Sequence, residues 1–127
     1  MRSILFVDDH EVLARLSCEI LSMQGYRADC AFNAADALAK LAEEDFDMLV
    51  TDFRMEGMNG LELAQKVREK TPHMPIIVIT GYSDLDGNKD VTVLSKEDLF
   101  PGLLDKIKIF LGDAETDKST ESQALAG

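Results

Sequence analysis

Four short apolar runs punctuate the chain, at Ile4–Val7, Met48–Thr51, Ile76–Thr80 and Val91–Leu94, and a weaker alternating run spans Tyr26–Ala31. Each has strand length. Runs that are apolar at nearly every position suit a sheet covered on both faces, which predicts a parallel sheet with helices on each side.

The intervening segments carry helical spacing instead. Leu13, Leu16, Ile20 and Met23 recur at the helical period, and Gly25 follows as a natural stop. Asn33 can cap a second helix with the stripe Ala34, Ala37, Leu38 and Leu41. Asn59 can cap a third, carrying Leu63, Ala64 and Val67 up to Thr71-Pro72. A last helix is predicted from about Asp98 to Leu111, with Leu104, Ile107 and Leu111 inward and Pro101 tolerated in its first turn.

The order β-α-β-α-β-α-β-(short link)-β-α is an α/β doubly wound pattern with five strands. The short link is GYSDLDGNKD, residues 81–90, whose apolar positions are Tyr82 and Leu85 alone. An average helix takes about 11–12 residues, so at most one turn is expected there, over 83–86. Residues 113–127 are polar and aperiodic, and are expected to be a disordered acidic tail after a single domain of residues 1–112.

Charge narrows the partners. The formal net charge is −11, with 20 acidic and 12 basic side chains in 1–112 and four acidic and one basic in 113–127. A surface of this sign repels phosphate backbones and anionic headgroups, which argues against direct nucleic-acid or membrane binding. Cys18 and Cys30 lie in no metal-ligand spacing and are expected to be buried free thiols. The N-terminal MRSILFVDD is too short in apolar residues for a signal peptide or a span, so a cytoplasmic location is expected.

In open parallel sheets, ligands collect at the carboxyl ends of the strands. Those ends are Asp8 and Asp9, Asp52, Thr80 and Lys96. Any one of these aspartates alone would be read as a cap or turn residue. Three converging carboxylates, at about 5 Å and an effective dielectric near 20, repel by on the order of 3 kcal/mol per pair. A cation must offset this, and a set of carboxylate oxygens describes Mg²⁺ or Mn²⁺ rather than zinc. His10 adjoins the pair and is read as a solvated or hydrogen-bonding side chain. His73 carries no signal. Met23, Met48, Met55, Met58 and Met74 are read as packing.

Taken together, VDDH, TDFRMEGMNG, ITGY and LSKEDL resemble the four signature segments of the response-regulator receiver domain, over residues 1 to about 112. The resemblance implies a flavodoxin-like sheet of order 2-1-3-4-5. It implies that Asp52 is the phosphoacceptor, taking a phosphoryl group from the phosphohistidine of a histidine kinase or histidine phosphotransfer domain. Asp8, Asp9 and Asp52 would hold Mg²⁺ (or Mn²⁺) with the backbone carbonyl of Arg54 as a further ligand, and Thr80 and Lys96 would bind the phosphoryl oxygens. Phosphoryl transfer wants these groups, because it is mostly positioning and charge neutralisation. With no attached output domain, signalling to a downstream protein would pass through contact, and no independent substrate turnover is expected.

Four departures from the family pattern follow. Glu56 stands where a proline is usual, which predicts altered loop stiffness, while Gly60 is kept for the tight turn. Glu97 stands where a cis proline commonly follows the lysine. A cis bond before Glu would cost roughly 2.5–4 kcal/mol, so a differently aimed Lys96 is expected. Val93 replaces a switching aromatic residue and is too stiff to swing between buried and exposed positions. The short 81–90 link predicts that the helix before the last strand is truncated or absent, and the usual output surface with it. Arg54 and Tyr82 fall at the variable positions flanking the phosphoryl group and are expected to tune acyl-phosphate lifetime.

Two other classes compete. An Asp-nucleophile phosphatase of the haloacid-dehalogenase type needs DxD on one strand, whereas Asp8 and Asp9 are adjacent and the candidate nucleophile is elsewhere. A non-phosphorylated binding scaffold, or a flavodoxin-like cofactor binder, is the other. The acidic DDHE loop is hostile to a cofactor phosphate, and the scaffold survives only if Asp52 is inert.

Overall fold

The computed structural model describes residues 2–81, 91–96 and 99–112. The 82–90 portion of the short link, the 113–127 tail and Glu97 lie outside the described residues, and with them the expectations placed there.

Five strands form one parallel sheet: β1 (Ser3–Val7), β2 (Arg27–Ala31), β3 (Met48–Asp52), β4 (Ile76–Thr80) and β5 (Thr92–Ser95), in the spatial order β2-β1-β3-β4-β5. The predicted α/β doubly wound class and strand order hold. β1, β3 and β4 are buried at every position, while the edge strands β2 and β5 are only partly covered. That is why the three central runs are continuously apolar and β2 alternates.

Pleating sends alternate side chains to opposite faces. Leu5, Val7, Leu49, Ile76 and Val78 join Ala34 and Ala37 of α2 (Ala34–Glu43) and Leu63, Ala64 and Val67 of α3 (Gly60–Lys70) in one core cluster. Ile4, Phe6, Met48, Val50, Ile77 and Ile79 join Ala14, Cys18 and Leu21 of α1 (Glu11–Met23) and Leu103, Ile107 and Leu111 of α4 (Leu99–Leu111) in the other. Leu104, predicted inward, is half-buried against this second cluster.

The helix starts are chemically specified. Asn33 accepts from the Asp36 N–H at 2.7 Å. Asn59 and Glu62 form a reciprocal capping box, each accepting the other's N–H at 2.9 Å. Gly25, with φ 96°, turns the chain out of α1. The cap of α1 is His10: its Nδ1 accepts from the Leu13 N–H at 3.3 Å.

The α1 stripe is the clear correction. Leu13 and Leu16 are exposed, Val12 and Met23 are 69% and 80% exposed, and the buried positions are Ala14, Ser17, Cys18 and Leu21. The face toward the sheet carries three small side chains, Ala14, Ser17 and Cys18, together with Leu21. Val12, Leu13, Leu16 and Met23 are left on the outer flank. Met23 is therefore not packing, although Met48, Met55 and Met74 are buried. Of the two thiols, Cys18 is buried but Cys30 only half so.

Candidate functional site

The strand register assembles the site. Val7 pairs with Thr51 and Asp52 with Ile79, so the residues following β1 stand level with the end of β3. Thr80 pairs with Ser95, which puts Lys96 immediately beyond that edge. Asp8, Asp9, Asp52, Thr80 and Lys96 thus share one end of the sheet, as the pattern of strand ends predicted.

Within it, Asp8, Asp9 and Asp52 each present a carboxylate oxygen within 4.8 Å of the others'. The three differ in surroundings. Asp52 is the end residue of a buried strand and only 5% exposed, Asp8 is half-buried and Asp9 is exposed. Asp8 Oδ1 accepts the His10 N–H at 3.0 Å, and Asp9 Oδ2 accepts the Glu56 N–H at 3.2 Å.

Lys96 Nζ stands 3.3 Å from Asp52 Oδ1, at ion-pair distance, and that buried oxygen has no geometrically formed hydrogen bond among the described residues. The different aim expected from Glu97 does not take the ammonium away from Asp52. Burial, and next the charge of Asp8, push the Asp52 carboxyl above the ordinary aspartate range. Lys96 opposes the rise and Asp9 adds to it.

Thr80 is buried at the end of β4, and Arg54 is exposed two residues past β3. Tyr82 lies outside the described residues. Val93 pairs with Val78 in the sheet and packs against the α2–α3 cluster.

Gly60 holds the loop after β3 in place, for a reason other than the turn expected of it. The positive φ in that loop belongs to Gly57, at 82°. A Cβ on Gly60 would lie 2.4 Å from the Asp52 carbonyl oxygen and 3.0 Å from Phe53 Cα, and the Gly60 N–H donates to the Phe53 carbonyl at 2.8 Å. Gly60 is needed for close approach to the phosphoacceptor candidate's own backbone.

The donor set suits a hard divalent cation. It consists of carboxylate oxygens, it includes one buried oxygen without a hydrogen-bond partner among the described residues, and its mutual repulsion asks for positive charge. The group that sequence reasoning missed is the peptide N–H of Glu56. Its only signal was that residue 56 is not proline.

Among the described residues no helix is long and apolar enough to cross a membrane. The sequence model of the response regulator receiver domain matches residues 4–100. The response regulator receiver protein CpdR of Brucella abortus (strain 2308) is 34% identical over 117 residues, covering 87% of this chain and 98% of that protein. Longer transcriptional regulators match over 65% of this chain but only 18–19% of their own lengths.

The response regulator TrrA of Thermotoga maritima, solved in complex with Mg²⁺-BeF, superimposes with a TM-score of 0.76 at 33% identity, over 87% of this chain and 100% of that one. TrrA in complex with the histidine kinase ThkA gives a TM-score of 0.78 at 33% identity, over 87% and 99% of the two chains. The sheet order, the carboxylates gathered at its end and the extent of these matches agree: the chain belongs to the response regulator receiver domain family of two-component signalling.

Proposed function

We infer that residues 1–112 form a phosphoacceptor receiver in which Asp52 takes a phosphoryl group from a phosphohistidine on a histidine kinase or histidine phosphotransfer domain. The observation carrying this reading is the buried Asp52 carboxylate, with an oxygen that has no hydrogen-bond partner among the described residues, facing Lys96 at 3.3 Å and two further carboxylates. A structural ion pair does not require Asp8 and Asp9 beside it.

In the transfer, an Asp52 oxygen attacks phosphorus in line with the phosphohistidine N–P bond. The O–P bond forms as the N–P bond breaks, and the electron pair leaves on the imidazole nitrogen. Lys96 offers positive charge to the phosphoryl oxygens, and the Thr80 hydroxyl donates to one of them once the group is in place. Asp8, Asp9, Asp52 and the Arg54 carbonyl would hold Mg²⁺ (or Mn²⁺), which supplies charge neutralisation for both the carboxylates and the incoming phosphoryl group. A relative of this chain has been solved with Mg²⁺-BeF, and again with a histidine kinase, which supports both assignments.

The outer flank of α1 supports a protein donor. Val12, Leu13 and Leu16 are exposed within two turns of Asp9, a contiguous apolar surface that water does not favour. A donor carrying its histidine on a helix can seat an apolar face there and reach Asp52. Output passes to a downstream protein by contact, and the role places the chain in the cytoplasm.

The test is incubation with acetyl phosphate or phosphoramidate, with and without Mg²⁺, followed by intact mass measurement. One phosphate increment is expected that requires Mg²⁺ and is lost in Asp52→Asn. Its absence would favour the unphosphorylated scaffold, and sustained turnover of small phosphate esters would favour the phosphatase.

A further inference from the structure

Of the three carboxylates at the sheet end, Asp9 is the one that the fold constrains least. Asp52 sits in a buried strand and Asp8 is held by the N–H of His10 two residues on, whereas Asp9 is exposed. An exposed carboxylate is otherwise free to change rotamer, and a ligand that must be ordered on binding weakens the site. Yet Asp9 is gripped from 47 positions away: the peptide N–H of Glu56 donates to its Oδ2 at 3.2 Å.

That N–H is aimed by the backbone around it. The loop leaving β3 returns to its own start, where the Gly60 N–H donates to the Phe53 carbonyl and the missing Cβ lets residue 60 lie against the Asp52 carbonyl. Residue 56 is thereby suspended between the ends of β1 and β3.

We propose that the Glu56 peptide N–H is a positioning group for the cation site: it fixes the Asp9 carboxylate in the orientation in which its free lone pairs face Asp8 and Asp52. The inference rests on the reading of these three carboxylates as a divalent-cation site. A carboxylate has about four acceptor positions, so one can take the N–H while others remain for a cation. Polar partners that orient ligating groups govern affinity in this way, and losing one costs roughly 10–100-fold in metal binding. The Glu56 side chain is not required, because every residue except proline brings the same donor.

The experiment is a calorimetric titration of the metal-free full chain with Mn²⁺. Glu56→Ala, which keeps the N–H, is expected to bind within about twofold of the wild type. Glu56→Pro is expected to bind about tenfold more weakly. Should the proline variant fail to fold by circular dichroism, the backbone ester at residue 56, which deletes the N–H and leaves the side chain in place, carries the same expectation.

If either the proline or the ester variant folds and binds Mn²⁺ as tightly as the wild type, the proposal is overturned while the cation site stands. Equal weakening in Glu56→Ala overturns it too, since the side chain would then be the cause. If the wild type takes up no Mn²⁺, or takes it up equally well after Asp52→Asn, the site reading itself fails.

Discussion

The two faces of the sheet use apolar residues differently. Over the α2–α3 face the periodic positions are the core: Ala34, Ala37, Leu63, Ala64 and Val67 all lie in one buried cluster with β1, β3 and β4. Over the α1–α4 face α1 buries Ala14, Ser17, Cys18 and Leu21, while Val12, Leu13 and Leu16 in its first two turns are exposed. A helix needs one apolar stripe to fold. The exposed apolar residues of α1 add nothing to the core cluster, and the proposed donor contact would cover them.

The sharpest way to break this contrast is truncation on each face. Leu63→Ala should cost about 2–5 kcal/mol, because a fully buried side chain leaves a cavity at a packed helix–sheet contact. Leu16→Ala should stay within about 0.5 kcal/mol, as for other surface changes. Thermal melts of both variants decide the matter. A large loss in Leu16→Ala would mean that the outer stripe is structural after all.

Gly60→Ala comes next, at about 1–3 kcal/mol, since the new methyl meets backbone atoms that cannot rotate away. It should also slow phosphorylation by acetyl phosphate, because the end of β3 must shift and Asp52 with it. An alanine variant that melts and is phosphorylated like the wild type would show that the loop has slack.

Leu16→Asp sharpens the functional half of the contrast. Phosphoryl transfer from a protein donor should fall about tenfold, equivalent to about 1.4 kcal/mol, while labelling by acetyl phosphate stays unchanged. Equal rates from the protein donor would remove α1 from the docking surface.

Much of this was readable from residue types alone. The continuous apolar strands required burial on both faces, and the polar residues at their ends were then forced into one place by parallel register. Caps were equally legible at Asn33 and Asn59, because a side-chain acceptor before a helical stripe has few other uses. The orientation of α1 was not. Its two flanks are both apolar enough to be core, and the buried one is Ala14, Ser17, Cys18 and Leu21. Periodicity alone does not choose between two such flanks. Nor does residue type reveal that Lys96 reaches Asp52 with Glu97 after it, or that Gly60 serves a close approach. The Glu56 donor was hidden for a different reason: a peptide N–H is common to every residue but proline.

The smallest expected effect concerns Asp52 itself and separates the cost of the site from its use. Burial and Asp8 raise the folded-state carboxyl above its unfolded value, with Lys96 only partly opposing them. A raised pKa means that the folded state holds its proton longer than the unfolded state does. The stability from this group is therefore complete below the unfolded aspartate value, near 3.9, and is lost as pH rises through the higher folded value. Asp52→Asn carries no such titration. At pH 7 without divalent cation it should be more stable than the wild type, and the difference should shrink toward acid pH. Saturating Mg²⁺ should reverse the order, because at 100 times its Kd a ligand stabilises the folded state that binds it by about 2.7 kcal/mol. Melting curves at two pH values, with and without Mg²⁺, test each sign. A variant less stable than the wild type in metal-free buffer at pH 7 would mean that the Lys96 pair outweighs the repulsion, and that the carboxylate cluster is not held under electrostatic stress.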